Sequence, residues 1–269
     1  MDNRKIGIFD SGLGGLTCVK EVMSLLPGEE IIYFGDTGRV PYGTRSPQTI
    51  VKYVQGDINF LLTFDIKVII IACGTASSVA LEAMRRQYPI PIIGVVEPAA
   101  AAAVRASRSG KIGVIGTPGT IHSGKYEQEI CREDAGVQVH TAACPLFVPL
   151  VENGYLQHEA TYLIAKEYLR PMKEAGVDTL IMGCTHYPLL REVIGDIMGN
   201  AVTLIDPGYE AAGRLKTHLE QNSQPADTGA APEHHFYVSD SVEGFEKLGS
   251  MFLNKEIKGL IQKIDIEKY

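Results

Sequence analysis

Two cysteines, Cys73 and Cys184, occupy matching places in a chain of 269 residues. Each closes an apolar run, Val68-Ile-Ile-Ile-Ala before Cys73 and Thr179-Leu-Ile-Met-Gly before Cys184, and each precedes a segment that reads as helical. A thiol at the carboxyl end of a buried strand faces the crevice where open parallel sheets bind ligands. The start of a helix turns its positive end toward such a sulfur, which favours thiolate. Cysteine is among the most often buried residue types, so one such residue alone would read as core. Two at equivalent positions read as a working pair. A hydrolase nucleophile needs one Cys with a His base, which leaves the second thiol idle. A redox pair must come within bonding distance, and nothing in the pattern demands that. Inverting a stereocentre does need two groups, one to take a proton from one face and one to return a proton to the other. Cys18, Cys131 and Cys144 read as structural, although Cys144-Pro145 ends a strand and can line the cleft.

Around this pair stand residues suited to holding a small acid. Asp10-Ser-Gly-Leu-Gly-Gly15 follows the first strand and opens a helix. Gly-rich strand-to-helix turns offer bare N–H groups to an anion, yet the spacing is neither GxGxxG nor a P-loop. A carboxylate therefore fits better than a nucleotide. Asp10 can accept from an ammonium group, lean on a thiol or simply cap the helix. Gly35-Asp36-Thr37 and Pro41-Tyr42-Gly43 form a loop that either points N–H groups at a ligand or is only a tight turn. His186 lies two residues after Cys184, where it can polarise that thiol or bind substrate. Glu152 either supports His186 or faces solvent. The other histidines, including His234-His235, lack metal-ligand spacing, and no lysine stands out as a Schiff-base site. The expectation is therefore no metal and no cofactor.

The elements that must position these residues alternate between short strands and longer helices. Strands are expected over 5–9, 30–34, 68–72, 92–95, 111–115, 137–141, 178–182, 202–205 and 235–238. Several are unbroken apolar runs, which suits parallel strands covered on both faces. Helices are expected over 16–26 and 47–64, the second with Ser46 as N-cap before Pro47. The only stretch that reads as a mobile loop is 221–233. An internal repeat organises the whole. Lys5-Ile-Gly-Ile matches Lys111-Ile-Gly-Val, the run before Cys73 matches that before Cys184, and Val95-Val-Glu-Pro98 matches Leu204-Ile-Asp-Pro207, at offsets of 106, 111 and 109. Three matches in one order at nearly one offset predict an α/β fold of two pseudo-symmetric parallel-sheet domains, with the active site in the cleft between them. The first domain is expected to be discontinuous, 1–97 plus 208–269, and the second to span 98–207.

Composition narrows the class. Hydrophobic residues make up 45% and charged residues 21%, as in an ordinary globular protein. Apolar runs reach six residues, far short of the ~20 a membrane span needs. The opening MDNRKIGIFDSG reads as a strand rather than a signal peptide. Five cysteines with no CxxC pair suit a reducing cytoplasm. A net charge of −7 argues against nucleic-acid binding. A cytoplasmic enzyme acting on a small molecule is expected, with a homodimer left open.

Four motifs together, Asp10-Ser-Gly-Leu-Gly-Gly-Leu16, Gly35-Asp-Thr-Gly-Arg-Val-Pro-Tyr-Gly43, Ala72-Cys-Gly-Thr-Ala-Ser77 and Gly183-Cys-Thr-His-Tyr-Pro188, resemble the bacterial glutamate racemases over essentially the whole chain. The resemblance implies a cofactor-independent isomerase that makes D-glutamate for peptidoglycan. It implies that Cys73 acts on D-glutamate and Cys184 on L-glutamate. It further implies that Asp10 and Ser11 contact the amino-acid head, that Tyr42 and Gly43 contact the side-chain carboxylate, and that Thr75, Thr185 and His186 complete the pocket. The family usually carries Asn where this chain has Gly74, so a missing amide would leave room for water or a shifted ligand. Racemisation of aspartate or another amino acid, or a non-catalytic binding role, are the alternatives. On this reading Gly74→Asn lowers KM or raises kcat for glutamate.

Overall fold

Among the described residues, runs of β-branched and aromatic side chains form ten strands between helices. The computed structural model describes residues 2–226, 232–255, 257 and 260–269. In chain order the strands are β1 (Lys5–Asp10), β2 (Ile31–Gly35), β3 (Ile66–Ile71), β4 (Ile92–Gly94), β5 (Lys111–Gly116), β6 (Gln138–Ala143), β7 (Thr179–Met182), β8 (Thr203–Ile205), β9 (His235–Val238) and β10 (Ile261–Lys263). One sheet runs β10-β9-β2-β1-β3-β4 and the other β6-β5-β7-β8. Every pairing is parallel.

The nine expected strands are present with ends within two residues. β10 was not anticipated: it is an edge strand of three residues with only Ile261 buried, so it carries no periodic apolar signal. The helix Pro47–Leu61 starts as expected, with Ser46 Oγ accepting from the Thr49 N–H at 3.3 Å. It stops three residues early, because Thr63 and Phe64 switch to the tighter bonds to Phe60 and Leu61. Of the loop expected over 221–233, residues 227–231 lie outside the described residues.

Alternate strand residues go to opposite faces. Ile6, Ile8, Val68 and Ile70 of the first sheet join a core that runs without a break into Ile112, Val114 and Ile181 of the second. Phe9, Ile32, Phe34, Ile69 and Ile71 face the other way, under the helices Pro47–Leu61 and Gly74–Gln87. The chain leaves the first sheet through the helix Val96–Ala106 and returns through Pro207–Gln221, and these two helices pack on each other. The expected boundaries at 97/98 and 207/208 thus fall in the first turns of the crossing helices. Asp206 caps the return helix, its Oδ1 accepting from Gly208 N–H at 2.9 Å and Tyr209 N–H at 3.4 Å.

A buried ion pair ties the chain start to the return segment. Lys67 Nζ on β3 donates to the carbonyls of Asp2 at 2.6 Å and Gln224 at 2.8 Å, and meets Glu29 Oε2 at 2.7 Å. Glu29 Oε1 in turn accepts from Ala226 N–H at 2.9 Å. Removing one partner of such a pair leaves a desolvated charge. Lys67→Met is therefore expected to cost about 3–5 kcal/mol of unfolding free energy, measured by urea denaturation. A loss below about 1 kcal/mol would show that the pair adds nothing to the anchor.

Candidate active site

Both thiols lie where strands of the two sheets end. Cys73 follows β3 and caps the helix Gly74–Gln87, its Sγ accepting from Ala76 N–H at 3.5 Å. The Cys73 thiol donates to Ser11 Oγ at 3.5 Å. Cys184 follows β7 by one residue and opens not into an α-helix but into the 3₁₀ turn Tyr187–Leu190. Its Sγ lies 4.0 Å from His186 Nδ1.

The expected thiolate bias does not hold for this closed cleft. The side chains are nearly dry, 6% exposed for Cys73 and 9% for Cys184. Burial pushes the Cys73 thiol up to about 11, and the Asp10 charge adds to it, against hydrogen bonds from Ser11 and Ala76. Burial likewise raises Cys184, and the charges of Cys73 and Asp10 push the same way. The helix start does reach one sulfur, but desolvation outweighs it.

Asp10 sits between the halves, 1% exposed. Its Oδ2 accepts from Gly12 N–H at 3.0 Å and its Oδ1 from Thr185 Oγ1 at 3.5 Å, across the cleft. Burial raises its carboxyl above the usual range, opposed by His186 and by these donors. Thr17 Oγ1 adds a second bridge, donating to the Thr185 carbonyl at 3.0 Å. Only glycine fits at position 14, where a Cβ would stand 2.2 Å from Thr185 Oγ1 and 2.6 Å from His186 Nδ1.

His186 Nε2 meets Glu152 Oε1 at 2.9 Å. With that N–H donated, Nδ1 presents its lone pair toward Cys184. The Phe252 ring braces the imidazole edge-on at 5.4 Å. Of the two roles open to Glu152, the structure thus places it on the histidine.

Tyr42 is placed differently from Gly43. Its hydroxyl points away from the cleft, to Asp36 and Asp57, and the side chain is 1% exposed. Only its peptide is left for a ligand. Gly43 packs against the second half, a Cβ there lying 3.1 Å from Thr117. Thr75 Oγ1 joins two residues that the sequence reading missed: Thr117 Oγ1 at 2.9 Å and Thr120 Oγ1 at 3.2 Å, themselves 3.0 Å apart. A signal for Thr117 existed, since the offset of 106 that aligns Lys5 with Lys111 carries Ser11 onto it.

Gly74 corrects the expectation of spare room. A Cβ there would lie 2.5 Å from the Gly183 carbonyl oxygen, so the two strand ends touch backbone to backbone. The cavity lined by Gly74, Gly183, Cys184 and Thr185 is about 10 Å³, room for one water. A groove of about 1160 Å³ between Arg85, Glu97, Arg132 and His218 contains neither cysteine. Among the described residues, no cluster of three or more His, Cys, Asp or Glu could hold a metal ion, and no helix is long and apolar enough to cross a membrane.

The fold of two parallel-sheet α/β halves is shared with a racemase family. The Asp/Glu/Hydantoin racemase model matches residues 16–215, and the chain belongs to that family. It is 47% identical over 264 residues to the glutamate racemase of Geobacter metallireducens, covering 98% of this chain and 97% of that one. A glutamate racemase structure from Bacillus anthracis superposes with a TM-score of 0.95 at 39% identity, covering 98% of each chain. One from Francisella tularensis, in complex with D-glutamate, gives 0.93 at 40% identity over 100% of both.

The contact at Gly74 reverses the mutational expectation. Gly74→Asn must push the Gly183 strand end away, and overpacking of this kind costs about 1–3 kcal/mol of folding stability, with racemisation expected to fall below that of the parent. Gly74→Ala should lose nearly as much, because the Cβ alone clashes. Racemisation kinetics as good as the parent in both variants would show that the contact is not kept during turnover.

Proposed function

We propose that the protein is a cytoplasmic, cofactor-independent glutamate racemase that interconverts L- and D-glutamate and supplies D-glutamate for peptidoglycan. The observation that carries this is the placement of Cys73 and Cys184 at equivalent strand ends of two halves, with Asp10 and Thr185 joined across the cleft between them. The near full-length similarity to glutamate racemases supports glutamate as the substrate. So does the D-glutamate in the Francisella tularensis structure.

In this mechanism Cys184 as thiolate removes the Cα proton of L-glutamate, and the Cys73 thiol protonates the opposite face. For D-glutamate the roles exchange. Two bases, one on each face, are what stereoinversion by proton transfer requires. His186 Nδ1, held by Glu152, is placed to take the Cys184 proton and leave the thiolate. Ser11 is the matching hydrogen-bond partner of Cys73. Asp10 and Ser11 meet the substrate ammonium, whose positive charge also favours thiolate over thiol. The N–H groups at Tyr42 and Gly43 take the side-chain carboxylate, with Thr75, Thr117 and Thr120 closing the pocket. Gly74 and Thr185 follow the two cysteines and offer backbone and hydroxyl donors to the charge that builds on the carbanion. The halves are 1–97 with 208–269 and 98–207, and the substrate lies in the cleft between them.

The test is a chiral assay on purified protein with L-glutamate and no added cofactor. Cys73→Ala and Cys184→Ala are each expected to abolish racemisation while thermal unfolding remains cooperative. Cys18→Ala, Cys131→Ala and Cys144→Ala should keep racemising. Substantial turnover by Cys184→Ala would sink the paired-thiol assignment.

A further inference from the structure

Behind the 42–43 turn lies a polar cluster that no step above uses. Asp36, just after β2, and Asp57, on the helix Pro47–Leu61, are both 0% exposed. Arg39 Nε donates to Asp36 Oδ2 at 2.6 Å, and its Nη2 to Asp57 Oδ1 at 2.6 Å. Ser239 Oγ donates to Asp36 Oδ1 at 2.8 Å. The Tyr42 hydroxyl oxygen lies 2.5 Å from Asp36 Oδ2 and 2.9 Å from Asp57 Oδ2. Tyr53 lies under the guanidinium, 4.5 Å from its ring centroid, and Glu267 lies 3.9 Å from Arg39 Nη1 at the exposed edge.

The proton count decides what this cluster is. A phenol has one proton to give, and here its oxygen faces two carboxylates. With both carboxylates ionised, the Tyr42 oxygen and one oxygen of a fully buried Asp57 would hold lone pair against lone pair. One guanidinium would also have to neutralise two buried negative charges. A single further proton, on Asp57 Oδ2, removes both conflicts. Asp57 then donates to the Tyr42 oxygen, and Tyr42 donates to Asp36. Asp36, with Arg39, Ser239 and Tyr42 all donating to it, is the anionic end of the chain. Burial and the neighbouring Asp36 charge push the Asp57 carboxyl well above the usual range, in the same direction.

We propose that Asp57 is a positioning residue: it donates its proton to Tyr42 and so fixes the 42–43 peptides that receive the distal carboxylate of the substrate. The inference rests on the reading above that these peptides bind that carboxylate. The anchoring side chains all lie on the far side of the turn, which leaves backbone N–H groups as what it offers the cleft. Gly43 is meanwhile seated against Thr117, so a small shift of the turn changes both its hydrogen bonds and its fit to the second half. The effect belongs in substrate binding rather than in proton transfer.

The test is steady-state kinetics on the full chain in both directions, with Cys184→Ala alongside. Tyr42→Phe and Asp57→Ala are expected to raise KM for both glutamate enantiomers about tenfold, the loss of well-placed hydrogen bonds to a charged group, with kcat within about twofold. Asp57→Asn should restore KM to within about threefold of the parent, because its amide can both donate to Tyr42 and accept from Arg39. If Asp57→Ala fails to fold, Tyr42→Phe and Asp57→Asn decide. An Asp57→Asn enzyme with KM raised as far as in Tyr42→Phe would mean the charge matters and not the proton, and overturns the proposal. An unchanged KM in Tyr42→Phe, with racemisation lost in Cys184→Ala, overturns the clamp while leaving the racemase reading intact.

Discussion

A Cβ on Gly74 would stand 2.5 Å from the Gly183 carbonyl, so the residue after one thiol touches the residue before the other. That contact sets the character of the site. A cavity of about 10 Å³ lies beside Cys184, toward Asp206 and Gly208, and both sulfurs are nearly dry. In so dry a place every fixed donor acts on developing charge with little screening. The donors are already arranged: the threonine hydroxyls at 75, 117 and 120, and Thr185 reaching Asp10 from the other half.

The same dryness has a chemical consequence. Cys73 is raised to about 11 by burial and by Asp10, and Cys184 is raised by burial, Cys73 and Asp10. Burial thus favours the protonated thiol at both positions, whereas the proposed mechanism needs one of them as thiolate. The two halves resolve this unequally. Cys184 has an imidazole 4.0 Å away, itself held by Glu152 at 2.9 Å, whereas Cys73 has the Ser11 hydroxyl and the Ala76 N–H. A pseudo-symmetric fold therefore carries an asymmetric site. In the mechanism proposed above, the L-side base has a proton acceptor beside it, and the D-side base relies on a helix start and on the substrate's ammonium.

The sheets were legible because both faces of a parallel strand are buried, so runs such as Val68-Ile-Ile-Ile and Thr179-Leu-Ile-Met stand out by composition alone. The same burial places the two cysteines, since each stands one small residue beyond such a run. β10 was illegible for the opposite reason, having one buried residue among three. Thr117 is readable only through the repeat offset, because a lone threonine carries no chemical signal. Asp57 could not be read at all. It lies within the amphipathic pattern of the helix Pro47–Leu61, and only the fold brings Asp36, Arg39 and Tyr42 around it. Gly74 reads as spare room in the sequence, because a missing side chain looks like space and only the fold brings the Gly183 backbone in to fill it.

Whether two facing thiols share the work, or one base serves both faces, is decided by following hydrogen isotope at Cα. With L-glutamate in deuterated water and sampling at the first few per cent of conversion, D-glutamate should carry deuterium at Cα, because its proton comes from a solvent-equilibrated Cys73. The remaining L-glutamate should stay protiated, since Cys184 returns the proton it has captured to the face it came from. Deuterium entering both enantiomers equally from the first turnovers would mean a single base that reaches both faces, and would contradict the assignment of Cys73 and Cys184 to opposite sides of the substrate.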